Sequence, residues 1–208
     1  MNIPVEIPGL DTIIPEVGEG RLVVVESGAD AAKSFFVRRV ALTAMRLEWP
    51  VTFVISRDRT ELLGLLATEG GFAEPNGHLV IAEKESLRNL DEFTGRGGLV
   101  AVDSFSFLTL EMPAPDLARM LRHVREVCKQ RGLTVLLGTD RGMLAPHAEA
   151  ITAHMADGFL QFHTEEGPEG IVRFLRIPKW SGGKFVERNI YYDFDGERLA
   201  IDLRRRVL

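Results

Sequence analysis

Arg21-Leu22-Val23-Val24-Val25-Glu26-Ser27-Gly28-Ala29-Asp30-Ala31-Ala32-Lys33-Ser34 is the stretch on which the reading of this chain turns. Its first half, Arg21 to Glu26, is a short β-branched run without polar alternation, the pattern of a strand buried on both faces. From Lys33 to Glu48 the apolar positions Phe36, Val37, Val40, Ala41, Ala44 and Leu47 recur at three and four, which predicts an amphipathic helix ending before Pro50. A buried strand, a small-residue loop and a helix thus follow one another within thirty residues.

The same alternation extends outward. Val51 to Ile55 reads as a second buried strand, Thr60 to Ala67 as a helix closed by Glu69-Gly70-Gly71, and His78 to Ala82 as a third strand. Ser86 to Phe93 predicts a short helix and Leu99 to Val102 a fourth strand after Gly97-Gly98; Asp116 to Arg131 is the clearest helix, and Thr134 to Leu137 a fifth strand. Repeated strand and helix imply an α/β fold with a mostly parallel central sheet flanked by helices. Beyond Asp157, the segments Phe159 to His163, Ile171 to Ile177 and Val186 to Phe194 are separated by turns too short for helices, which predicts a C-terminal antiparallel extension. No linker interrupts residues 1–208, so one domain is expected.

Composition narrows the function classes. A net charge of −5 argues against a protein that coats phosphate backbones, and nucleic acid is not an expected partner. Arg204-Arg205-Arg206 reads as a solvated tail. The single cysteine, Cys128, cannot form an internal disulfide, no apolar run is long enough to cross a membrane, and the first residues lack signal-peptide character, so a cytoplasmic location is expected. His78, His123, His147, His154 and His163 are dispersed without metal-ligand spacing. Phe35 and Phe36 read as core packing.

The loop carries the chemistry. Phosphate-cradling loops between a strand and a helix read G-x-x-x-x-G-K-[ST]: glycines permit close backbone approach, the lysine reaches the β- and γ-phosphates, and the hydroxyl serves magnesium. In Ser27 to Ser34, Lys33 and Ser34 fit that pattern. Ser27 and Ala32 replace the two glycines, and Asp30 puts a carboxylate mid-loop. A positive φ at Ala32 would cost about 1–2 kcal/mol, and a carboxylate about 4 Å from a phosphate repels it by about 1 kcal/mol in water and about 4 at intermediate dielectric. Val100-Ala101-Val102-Asp103-Ser104 is an apolar strand ending in an aspartate, the arrangement that holds a magnesium-bound water in a Walker B motif. By itself, such an aspartate is also a common turn residue.

Taken in order, these segments resemble the RecA-superfamily ATPases of the KaiC and RadA type across nearly the whole chain. Ile7-Pro8-Gly9-Leu10-Asp11 resembles that family's "GLD" segment, Val102-Asp103-Ser104 its Walker B, and Ala156-Asp157-Gly158-Phe159-Leu160 its "ADG". The resemblance implies a RecA-like P-loop NTPase fold, a degenerate nucleotide-binding loop at Ser27, Gly28, Ala29, Asp30, Ala31, Ala32, Lys33 and Ser34, and Asp103 as the Walker B carboxylate. It implies magnesium at Ser34 and Asp103 only together with a bound nucleotide, so that ATP and magnesium are expected weakly bound if bound at all. Lys179 lies where relatives carry a lysine toward a neighbouring subunit's nucleotide, but Lys179-Trp180-Ser181 lacks the arginine that usually follows. Where active members carry the water-polarising glutamates, this chain has Arg57 and Asp58.

The expectation is therefore a catalytically impaired KaiC-like protein acting by binding or assembly in regulation and signal transduction, with itself or an active paralogue. A slow ATPase using Lys33, Ser34 and Asp103 and a recombinase-like DNA-binding accessory protein are the alternatives. New opposite charges suggest a site neutralised from within, Asp30 meeting Lys33 or Arg57 meeting Asp103.

Overall fold

The computed structural model of the chain describes residues 2–28, 32–55, 58–70, 79–82, 97–167, 170–181 and 186–202. Two short strands, β1 (Ile3–Pro4) and β2 (Glu16–Val17), pair antiparallel ahead of β3 (Leu22–Ser27), which is buried at every residue. α1 (Ala32–Arg46) follows, then β4 (Val51–Ile55), α2 (Arg59–Gly70), β5 (Leu79–Ala82) and β6 (Leu99–Asp103). A single turn, α3 (Phe105–Leu108), leads to α4 (Ala114–Arg131) and β7 (Thr134–Asp140). Pro115 opens α4, and Gly132, in the left-handed conformation at φ 68°, closes it; a side chain there would be strained. α5 (Pro146–Met155) precedes β8 (Gly158–Gly167), β9 (Gly170–Trp180), β10 (Val186–Phe194) and β11 (Leu199–Ile201). The predicted helix at 86–93 and His78 lie outside the described residues.

Among the described residues the large sheet has nine strands in the order β11-β10-β9-β8-β3-β7-β6-β4-β5. From β5 to β8 the pairings are parallel, and β9, β10 and β11 extend the sheet antiparallel. The expected antiparallel extension therefore starts one strand later than its sequence suggests. β8 joins the parallel set because α5 supplies the crossover that a parallel neighbour of β3 requires.

Burial on both faces explains the unbroken apolar runs. Val23, Val25, Phe53, Ala101 and Leu136 pack beneath α1, whose Phe36, Val37, Val40 and Ala44 face them. On the reverse face Leu22, Val24, Val100, Val135 and Leu137 meet Leu117, Leu121, Val124 and Cys128 of α4. The segment before β2 is tied to the far edge: Ile201 N donates to Pro8 O, and a Cβ on Gly9 would stand 2.8 Å from Ile201 Cβ.

One consequence of strand order matters for the site. β7 lies between β3 and β6, with Ser27 in register with Asp140 and Val102 with Leu137. Ser27, Asp140 and Asp103 therefore line up along the C-terminal edge of the parallel strands, where open α/β sheets place their ligands.

Candidate functional site

Alternation along the strands sends Ser27, Gly138, Asp140 and Asp103 to the face covered by α1. Lys33, the second residue of that helix, is 3% exposed. Its stem crosses β7 at Gly138, where a Cβ would stand 3.3 Å from Lys33 Cδ and 3.2 Å from Val102 O. A glycine in the middle of a buried strand is thereby explained: it leaves the groove through which the lysine passes. Beyond it, Lys33 Nζ donates to Asp140 Oδ1 at 2.7 Å and lies 3.5 Å from Asp103 Oδ1. Ser34 Oγ donates to Asp103 Oδ1 at 3.1 Å.

Asp140 is itself held in place. Ser104 Oγ donates to its second oxygen, and its backbone N–H donates to Ser106 Oγ at 2.9 Å. The Asp140 side chain is 28% exposed and that of Asp103 is 9% exposed, so Asp140 carries the solvent-facing side of the cluster. One ammonium between two carboxylates leaves this trio with a single negative charge.

That balance decides how the residues fit magnesium nucleotide. Ser34 and Asp103 stand together as a hydroxyl and a carboxylate serving one metal would, but the lysine that a phosphate needs is already engaged by two anions. A phosphate within about 4 Å of the Asp140 carboxylate would be repelled by about 1 kcal/mol in water and about 4 at intermediate dielectric. The residues as arranged do not fit a phosphate on Lys33.

The sequence profile of a family of unknown function (DUF7125) matches residues 75–208, more than half of the chain and including Asp103 and Asp140. The chain belongs to this family. No curated protein matches it. Among solved structures it is similar to the flagellar accessory protein FlaH from Methanocaldococcus jannaschii, with a TM-score of 0.75 and 15% identity over 97% of this chain and 98% of that one. It is also similar to the KaiC-like protein PH0186 from Pyrococcus horikoshii OT3, with a TM-score of 0.76 and 17% identity over 97% and 99%. At that identity the likeness concerns the fold: this DUF7125 chain has the RecA-like fold of KaiC-like proteins.

Of the other residues singled out in the sequence, Ala29, Asp30, Ala31 and Arg57 lie outside the described residues, so neither pairing expected of Asp30 and Arg57 is visible. Ala32 is already helical as the first residue of α1, so the left-handed strain considered for it does not arise. Ser27 is buried and its hydroxyl donates to Gly28 O at 3.0 Å; among the described residues nothing lies within 4 Å of a Cβ placed on Gly28. Asp58 caps α2, accepting from Thr60 N at 2.6 Å, and this bond, followed by further bonds from the Thr60 side chain and Glu61 N–H, holds its carboxyl below the usual range.

Lys179 of this DUF7125 chain pairs with Phe159, level with Val24, well back from the edge marked by Ser27. Its Nζ donates to His154 O at 3.0 Å in the last turn of α5, a favourable end for a cation. Ser181 N and Oγ both donate to Asp157 O. Asp157 ties strands together: Leu22 N donates to Oδ2 at 3.2 Å and Arg125 to Oδ1 at 2.9 Å. Gly158 is needed because a Cβ would stand 2.8 Å from the Trp180 ring.

On the reverse face of the sheet, one residue away from Ser27 and Asp140, lies a second polar group. Buried Glu26 accepts from Arg141 Nε at 2.8 Å and from Gln161 Nε2 at 3.0 Å. Arg141 also lies 3.0 Å from His163 Nδ1, and the imidazole stacks on Phe174 at 4.7 Å. Burial, then the cations Arg141 and Arg176, push the His163 pKa down. Among the described residues, no three His, Cys, Asp or Glu side chains are grouped to hold a metal ion, and no helix is long and apolar enough to cross a membrane.

Sequence reasoning missed Asp140, Gly138 and Ser106, and read Ser104 as part of the Walker B-like segment without its bond to Asp140. Asp140 carried a signal, an aspartate ending an apolar strand just as Asp103 does. What the sequence lacked was the strand order that places it beside Lys33.

Proposed function

We propose that this protein is a KaiC-like member of the RecA superfamily whose phosphate-binding loop is degenerate. It acts in the cytoplasm by binding or assembly in regulation and signal transduction, with itself or with an active paralogue, and not by turning over ATP. The observation that carries this reading is the 2.7 Å pair between Lys33 and Asp140, which gives the lysine an internal anion where an ATPase would offer it a phosphate. Ser27 and Ala32 act in the same direction, because each carries a side chain where a phosphate-cradling loop has a glycine that lets the backbone approach closely. Arg57 stands where a water-activating glutamate would be expected, so binding and hydrolysis are each impaired for a separate reason. The similarity to a protein described as a flagellar accessory protein is compatible with a supporting role.

Calorimetric titration with magnesium-ATP, followed by phosphate release on the same preparation, tests the proposal. Weak or undetectable binding and no turnover are expected. Magnesium-dependent turnover abolished by Lys33→Ala would overturn the reading: a rate well below about 1 per second would establish the slow-ATPase alternative, and a higher one an ordinary ATPase.

A further inference from the structure

We propose that Asp140 is a tethered anion that holds Lys33 in place of a phosphate, so that a polyphosphate enters this site only by displacing the Asp140 carboxylate. The inference rests on the reading of the site given above and names the residue that closes it.

Four features make this more than a chance ion pair. The lysine is buried along its length and reaches Asp140 through a groove that exists because residue 138 has no side chain. The carboxylate is aimed by two further contacts, from Ser104 Oγ to its side chain and from its own N–H to Ser106 Oγ, the latter on a fully buried serine. Asp140 is the more exposed of the two carboxylates on Lys33, so an entering anion meets it first. Finally, the Ser34 to Asp103 bond is independent of Asp140, so removing the Asp140 charge leaves the hydroxyl and the deeper carboxylate in place. The occupant that this chemistry recognises is a chain of phosphates bearing several negative charges, because such a group can replace a carboxylate on a buried ammonium that belongs to the first turn of a helix.

The test is calorimetric titration of magnesium-ATP, and separately of tripolyphosphate without a base, into the wild type, Asp140→Asn and Asp140→Ser, each also combined with Lys33→Ala. Both single variants are expected to bind at least tenfold more tightly than the wild type, and Lys33→Ala is expected to erase the gain. Circular dichroism establishes that each variant is folded, and either one suffices. A folded variant that binds no more tightly than the wild type, a gain that survives Lys33→Ala, or failure of both variants to fold would overturn the proposal. Turnover by the wild type would sink the functional reading; an inert wild type with no gain in the variants would sink this inference alone.

Discussion

Lys33 ends between Asp140 and Asp103, and a lysine so placed is a structural cation before it is anything else. Charges removed from water must be paired, and here Asp140 and Asp103 supply the pairing. The neighbouring cluster on the reverse face follows the same logic with an opposite outcome for its titratable member. His163 lies against Phe174 with Arg141 and Arg176 nearby, so burial and then like charge disfavour its imidazolium. Its folded-state pKa is lowered from the ordinary 6.5, and the unfolded chain therefore binds the proton more readily. Stability contributed by neutral His163 is present above that ordinary value and is lost as pH falls below it. Urea midpoints measured from about pH 7.5 to about pH 5.5 should fall more for the wild type than for His163→Gln. Equal falls would show that His163 does not contribute to the pH dependence.

At the scale of elements, β7 and β8 show what the sequence conveyed and what it withheld. Both were recognisable as strands, yet Gly138-Thr139-Asp140 reads as a turn because glycine and aspartate commonly end strands. Tertiary packing overrides that preference: Gly138 is accommodated by the stem of Lys33, and Asp140 by Lys33 and two serines. α5 carries little amphipathic pattern around its alanines, so the crossover that makes β8 parallel was not legible either. Gly158 at the start of β8 offers a direct check on this packing. Gly158→Ala brings a Cβ to 2.8 Å from Trp180 Cε3 and Cζ3 and 3.3 Å from Val23 Cγ2. It should cost about 1–3 kcal/mol by overpacking, read from urea unfolding, and Trp180→Leu in the same background should recover part of it. An unchanged midpoint would mean that Trp180 does not cover Gly158.

For the whole molecule, the α/β class and the parallel sheet followed from local patterns, because strands buried on both faces write themselves as unbroken apolar runs. The strand order did not, since nothing in Thr134 to Asp140 announces that it inserts between the strands carrying Ser27 and Asp103. That insertion turns three separate strand ends into one site and gives Lys33 a partner that a linear reading overlooks. The central claim is that this partner makes Lys33 part of the folded structure rather than a group waiting for a ligand. Urea unfolding of the wild type and Lys33→Met, without nucleotide or magnesium, tests it most directly, because methionine keeps the apolar stem and removes only the charge. Breaking a buried ion pair costs about 3–5 kcal/mol, and with Asp140 28% exposed the loss expected here is about 2–4 kcal/mol. Unchanged or increased stability, as expected when a lysine held ready for a phosphate is removed, would contradict the account.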